Sequence, residues 1–172
     1  AAAVGWDWWN HRNFLNSYFS GRFYGSYARG ALFQENPETG DARISGSAAS
    51  LCGIEAATSP EDLDSGIRRL VLLYAVVFAF GGIPLIYMGD ELALPNDHSY
   101  LADPALADDN RWMHRPRMDW VAAGRRHDET TVEGRVFGWM RRLVAARQDL
   151  LPLRTGGEHE ILVLGSAPAG EH

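Results

Sequence analysis

The most regular pattern of hydrophobic and polar positions begins at Ser59. The run Ser59-Pro60-Glu61-Asp62 places a capping hydroxyl, a proline and two acids where the first turn of a helix favours them. Apolar residues then recur at helical spacing from Leu63 to Phe78, and Gly81 ends the pattern. The second half of this segment is apolar on every side, which predicts a helix covered by several other elements.

Two further segments show helical spacing of apolar residues. The first runs from Asn10 to Gly21. The second begins at Thr130, which forms a capping-box pattern with Glu133, and it stops before position 152. Each of the two glycines inside this second segment lowers its helix propensity by about 1 kcal/mol. We therefore expect the second helix to depend on packing.

A continuous hydrophobic run, Ile83 to Met88, follows the first helix after only two glycines. Such a run is typical of a parallel strand that is buried on both faces. The acids Asp90 and Glu91 come directly after it, where a strand of a (β/α)₈ barrel reaches the catalytic face. The order of helix, short turn and buried strand predicts an α/β fold, with Asp90 and Glu91 in a structural role.

The segments between these elements differ in character. Residues 21–54 are rich in glycine, serine and aromatic residues and predict an elaborated loop with short helical or strand pieces, including a turn at Asn36-Pro37. Residues 91–120 show no sustained periodicity, and loops of that length are usually functional or disordered. The apolar run EILVLG, residues 160–165, predicts a strand that opens a new unit.

Composition narrows the class of protein. Hydrophobic residues make up 46% of the 172 residues, which is typical of a globular protein, and the net charge of −6 disfavours binding to nucleic acid. The longest unbroken apolar stretch has eleven residues, fewer than the roughly 20 that cross a bilayer. The lone Cys52 and the absence of a recognisable signal peptide predict a cytoplasmic location. No metal-ligand spacing or cofactor fingerprint is present, so we expect neither a metal nor a cofactor.

Four stretches together resemble amylosucrase, the sucrose-using glucosyltransferase of the α-amylase superfamily. They are HRNFLN (11–16), GSYARGALFQENPETGDARISGSAASLCGI (25–54), GGIPLIYMGDELALPND (81–97) and DDNRWMHRPRMDW (108–120). The third stretch alone indicates only the α-amylase superfamily, whereas the second and fourth stretches resemble a narrower group within it, the amylosucrases. The resemblance extends from residue 1 to about residue 148 and weakens toward the C-terminus.

The resemblance implies the C-terminal portion of a (β/α)₈ TIM barrel. Residues 1–57 correspond to the subdomain inserted after the seventh strand. Residues 58–151 correspond to the seventh helix, the eighth strand at Ile83–Met88, its long loop and the eighth helix. Residues 152–172 correspond to the start of a C-terminal β domain. Because the chain lacks an initiator methionine and ends just after a predicted strand, we expect it to be a fragment with an incomplete barrel.

The resemblance also implies a retaining transfer of glucosyl units from sucrose to an α-1,4-glucan with release of fructose. In the family, three carboxylates perform or support this reaction, in motifs that this sequence does not contain in the right context. The only His-Asp pair, His127-Asp128, precedes a helix cap and not a strand end. We therefore expect this chain to contain no catalytic residue of its own. Its expected partners are sucrose and the glucan acceptor.

Four residues match sugar-binding positions of the family. Arg111 matches an arginine that pairs with a carboxylate from elsewhere at the floor of the sugar pocket. Arg43 matches an arginine at the subsite for fructose or the incoming glucan, and Gln34 and Arg12 match residues farther along the acceptor channel. Three alternatives stay open: a sucrose hydrolase, another glucosidase of the superfamily, and a truncated remnant without catalysis.

Overall fold

The computed structural model describes residue 5 and residues 7–153. Within them it contains five α-helices and one two-stranded antiparallel sheet. In chain order the elements are α1 (Trp8–Phe19), β1 (Ala31–Phe33), β2 (Arg43–Ser45), α2 (Ala48–Leu51), α3 (Pro60–Ala79), α4 (Trp120–Gly124) and α5 (Val132–Asp149). Short 3₁₀ turns lie at Asp90–Leu92, Ser99–Ala102, Asn110–His114 and Leu151–Leu153.

The long helix α3 begins where the capping pattern predicts. The Ser59 hydroxyl accepts a hydrogen bond of 3.1 Å from the backbone N–H of Asp62, which satisfies one of the free donors of the first turn. One face of α3 packs against α5 to form the main apolar core. Its buried side chains are Ile67, Leu70, Tyr74 and Phe78 from α3 and Val136 and Met140 from α5.

Arg147, in the last turn of α5, fixes the C-terminal end of α3. Its Nη1 donates to the carbonyls of Phe78 and Phe80 at 2.6 and 2.5 Å. Its Nη2 donates to the carbonyls of Gly82 and Leu153 at 2.6 and 2.7 Å. The last carbonyls of a helix have no partner inside the helix, so this planar, forked cation stabilises the exit of the chain from α3.

Helix α5 is capped by Thr131 and not by the predicted Thr130. The capping hydroxyl belongs to Thr131, which accepts from the N–H of Gly134 at 3.1 Å. Thr130 instead donates its hydroxyl hydrogen to Asp128 at 2.6 Å. Glu133 forms an ion pair with Arg125 and does not complete a capping box. The Thr131 hydroxyl also donates to the carbonyl of Asp128 at 2.8 Å, so the capping residue joins the start of α5 to the preceding turn.

The strands β1 and β2 form a hairpin in which Ala31 pairs with Ser45 and Phe33 with Arg43. Its turn contains the predicted Asn36-Pro37 sequence, which is therefore confirmed as a turn. The Asn36 side-chain oxygen accepts from the N–H groups of the two residues after Pro37, at 2.9 and 3.2 Å. Such a bond from an asparagine side chain to nearby backbone stabilises the reversal of the chain.

The predicted portion of a (β/α)₈ barrel is wrong, as is the buried eighth strand. The sheet in the described residues is the two-stranded hairpin, and no β domain is present among them. Residues 83–87 have no regular secondary structure, and no described strand pairs with them. Ile83 is 88% exposed and Leu85 is 74% exposed, whereas Pro84 and Ile86 are half-buried. A continuous apolar run does not by itself distinguish a buried strand from an extended segment, because a strand also needs a partner.

The expected covering of α3 on several sides is also not observed. Only the face toward α5 and α2 is buried, and Leu72, Leu73, Val76, Val77 and Phe80 are exposed. None of the helices in the described part of the chain combines the length and apolar character needed to cross a bilayer. The predicted strand at residues 160–165 lies outside the described residues.

Two glycines of α5 make a matched test of this packing. A methyl group added at Gly134 would lie 1.9 Å from the backbone carbonyl oxygen of Asp128, whereas one added at Gly138 meets nothing within 4 Å. We expect Gly134→Ala to lower the free energy of unfolding by about 2 kcal/mol or more. We expect Gly138→Ala to raise it by about 0.5–1 kcal/mol. Urea unfolding followed by circular dichroism measures both, and equal stabilities of the two variants would contradict the packing described here.

Candidate functional site

The hairpin brings together the residues that the sequence singled out. The guanidinium carbon of Arg111 lies 4.9 Å from the centre of the Phe33 ring. Phe33 is the register partner of Arg43 on the opposite strand, and Gln34 follows Phe33 directly, with a positive φ of 53°. Arg111 thus lies against the turn end of the hairpin, which carries Gln34 and Arg43. We call Arg12, Gln34, Arg43 and Arg111 the arginine cluster.

The 3₁₀ turn Asn110–His114 positions Arg111 against the hairpin. The side-chain amide of Asn110 donates to the carbonyl of Leu32 at 2.6 Å, across 78 residues of sequence. Asp109 caps the turn by accepting from the backbone N–H of Arg111 at 3.0 Å. These two contacts dock the turn on the strand that precedes Phe33.

Arg111 is paired with its neighbour Asp109. Its Nε donates to Oδ1 at 2.7 Å and its Nη2 to Oδ2 at 2.6 Å, so the contact is bidentate. The hydrogen bonds from Arg111 lower the pKa of Asp109 to about 2, and both side chains stay ionised at neutral pH. The resemblance implied a carboxylate from elsewhere in the chain, and in this structure the partner is local and partly exposed.

Arg12 reaches the cluster from helix α1. It forms an ion pair with Asp41, which lies two residues before Arg43. Both side chains of the pair are partly exposed, so it contributes only about 0–1 kcal/mol of stability. The side chains of Gln34 and Arg43 are also exposed and bond to no described residue. All four predicted residues are therefore exposed, and all four lie in the hairpin or contact a residue of it.

A second polar group, centred on Ser50, was not found from the sequence. The Ser50 hydroxyl accepts from the N–H of Asn96 at 2.9 Å and donates to Glu55, and Glu55 lies 3.5 Å from His98. The order of serine, acid and histidine differs from that of a nucleophilic triad, and Ser50 is fully buried. Ser50 and Glu55 are separated from Asn96 and His98 by 41 to 48 positions in the sequence, and no sequence motif connects residues so far apart. We interpret Ser50 and Asn96 as a scaffold that holds the Glu55 carboxylate in place.

Asp90 and Glu91 have structural contacts. Asp90 is buried and accepts a hydrogen bond from the Tyr74 hydroxyl of α3. Burial raises the pKa of Asp90, because the charged form is desolvated, although the bond from Tyr74 acts in the opposite direction. Burial also raises the pKa of Tyr74. Glu91 accepts from the N–H of Gly89 at 2.9 Å.

The remaining candidates for metal or covalent chemistry are the histidine, cysteine and acidic side chains of the described residues. Among the described residues, no group of three or more histidine, cysteine and acidic side chains is arranged to hold a metal ion. Cys52 is buried, and desolvation raises the pKa of its thiol to about 11, so it does not serve as a nucleophile at neutral pH. His127 and Asp128 lie at the turn before α5, and Asp128 binds Thr130. A comparison of the chain with models of known protein families finds no match.

The buried Asp90 predicts a measurable pH dependence. The pKa of Asp90 is higher in the folded chain than the value of about 3.9 expected in the unfolded chain. The stability that this shift contributes is fully present below the unfolded pKa, and it is lost as the pH rises through the folded pKa. We expect Asp90→Asn, which retains an acceptor for Tyr74, to lose less stability between pH 4 and 7 than the wild-type chain. Urea unfolding at several pH values measures this difference. The exposed Asp108→Asn should follow the wild-type curve, and identical curves for the Asp90 variant would contradict the assignment.

Proposed function

We propose that this chain supplies sugar-binding side chains for the transfer of glucosyl units from sucrose to an α-1,4-glucan, with release of fructose. The supporting observation is the arginine cluster itself. Arg12, Gln34, Arg43 and Arg111 were selected by their match to amylosucrase stretches, without reference to their positions in space. They lie up to 99 residues apart in the sequence, yet all four surround one short hairpin and are exposed.

The chemistry of the cluster suits a sugar. A sugar is uncharged and offers many hydroxyl groups, which both donate and accept hydrogen bonds. A guanidinium group has five N–H donors in a fixed plane, and an amide offers both donors and an acceptor. Asp109 holds the Arg111 guanidinium in one orientation, so less side-chain entropy is lost when a ligand binds. We assign Arg111 to a terminal glucosyl unit, Arg43 to fructose or the incoming glucan, and Gln34 and Arg12 to the acceptor.

The bond-breaking carboxylates are assigned to a parent enzyme and not to this chain. Retaining transfer uses two carboxyl groups about 5–5.5 Å apart, one as nucleophile and one as acid and base. The two carboxylates that touch the cluster, Asp41 and Asp109, are each bound to an arginine. The buried, unpaired Cys52 fits a reducing compartment, and we propose a cytoplasmic location.

Sucrose hydrolysis is the nearest alternative function, in which water takes the place of the glucan. Arg43 and Gln34 favour transfer, because both are exposed at the turn end of the hairpin and are free to bind an acceptor hydroxyl. A chain that only binds glucan, as a remnant without a catalytic parent, would use the same cluster.

Incubation with sucrose separates these functions. We expect the isolated chain to release no fructose, and a parent enzyme that contains it to form α-glucan and fructose. Chromatography of the products, with iodine staining for glucan, measures both. Glucose without glucan from the parent enzyme would contradict transfer, and fructose released by the isolated chain would contradict the assignment of catalysis to other residues.

Binding of a glucan to the isolated chain tests the cluster directly. We expect Arg43→Ala to weaken the binding of maltoheptaose by about 3- to 10-fold, the loss of one or two hydrogen bonds. Arg43→Lys should retain part of the affinity because it retains a donor. Arg68→Ala, at an exposed position on α3, is the matched control and should leave the affinity unchanged. Isothermal titration calorimetry gives the constants, and equal affinities of the wild-type and Arg43→Ala chains would remove Arg43 from the site.

A further inference from the structure

A cleft of about 540 Å³ is lined in part by Met113, which belongs to the same 3₁₀ turn as Arg111, and the cleft has no role in the assignments above. Its lining includes the loop that follows α1, residues 20–26, and the side chains of Glu55 and His98. Its volume falls in the range of about 300–1,000 Å³ that is usual for sites that bind small molecules. We call it the Tyr24 cleft after the aromatic side chain at its rim.

The rim of the Tyr24 cleft carries two neighbouring aromatic rings. Phe23 packs edge-on against Phe14, with ring centres 5.2 Å apart, while Tyr24 is 98% exposed. The loop that holds them is fixed, because Ser26 donates its N–H to the carbonyl of Phe23 at 3.0 Å and its hydroxyl to the carbonyl of Tyr18 at 2.5 Å. Tyr24 is thus an exposed ring on a fixed backbone.

The walls of the cleft offer both acceptors and donors. Ser50 and the N–H of Asn96 hold one oxygen of Glu55, and the other oxygen lies 3.5 Å from Nε2 of His98. On the same lining, Arg29 donates through Nη1 to the carbonyls of Ser26 and Ala28 at 3.0 and 2.8 Å. The carboxylate and the guanidinium are therefore held in place before any ligand arrives.

The charges of the cleft favour an uncharged ligand. Arg22 is within 3.6 Å of Glu35, and the carboxylate of Glu55 faces the same space as Arg29 and His98. The lining therefore carries both positive and negative charges, so it attracts neither anions nor cations selectively. A ligand with many hydroxyl groups and flat C–H faces can use the acceptor, the donors and the rings together.

We propose that the Tyr24 cleft is a further subsite for glucosyl units of an α-1,4-glucan, with Tyr24 as the stacking platform and Glu55 as the hydroxyl acceptor. This inference rests on the proposed function and extends the acceptor path beyond the arginine cluster. The Arg22–Glu35 pair links the two places, because Glu35 directly follows Gln34 in the chain.

Titration with maltoheptaose tests the cleft against the cluster. We expect Tyr24→Ala to weaken binding about 5-fold through loss of the ring contact. We expect Glu55→Gln to weaken it as well. Trp120→Ala removes another exposed ring that does not line the cleft, and it should leave the affinity unchanged. Far-UV circular dichroism of each variant, compared with wild type, verifies the fold.

Each pattern of results has one meaning. If Tyr24→Ala and Arg43→Ala both weaken binding, the cleft and the cluster both belong to the glucan site. If only Arg43→Ala weakens it, the cleft is overturned while the proposed function stands. If only Tyr24→Ala weakens it, the cleft stands and the assignment of the cluster is overturned. If the wild-type chain does not bind maltoheptaose, both are overturned.

Discussion

The contact between α3 and α5 is the constraint on which the rest of the described structure depends. The two longest helices share the main apolar core, and Arg147 joins their C-terminal ends through four carbonyl oxygens. A hydrogen bond to a charged group contributes about 1.5–3 kcal/mol, so this junction is strong as well as directional. This junction determines the direction in which residues 83–87 continue after α3 ends. Tyr74 then holds Asp90 at the start of the long loop.

The geometry of the candidate site depends on that loop through one buried amide. Asn96 accepts from the N–H of Ser47 at 2.8 Å and donates to the carbonyl of Arg29. It therefore ties the loop after Asp90 both to the start of α2 and to the segment before the hairpin. An unpaired buried polar group is costly, so an amide whose oxygen and nitrogen are both bonded restricts the loop to one position. The turn that carries Arg111 follows in the same loop, and its place beside Phe33 depends on these bonds.

The features predicted from the sequence with success are those that local contacts determine. The Ser59 cap of α3 and the turn at Asn36 each depend on side chains within three residues. The interpretation of residues 83–88 as a barrel strand failed because burial of a strand depends on neighbours that no local pattern specifies. The proximity of Arg111 and Phe33 arises from a contact across 78 residues, and only the family resemblance indicated Arg111. Glu55 and His98 had no such indication.

The pairing of charges in the arginine cluster bears on what it can recognise. Arg12 is bound to Asp41 and Arg111 to Asp109, so each of these guanidinium groups is accompanied by a carboxylate. A site for phosphate or another anion would gain from unpaired cations, whereas a site for hydroxyl groups gains from donors whose charge is already balanced. Within the described residues, Arg43 is the arginine of the cluster that no carboxylate holds. Its donors are therefore the ones most available to a ligand, which agrees with the proposed assignment of Arg43 to fructose or the incoming glucan.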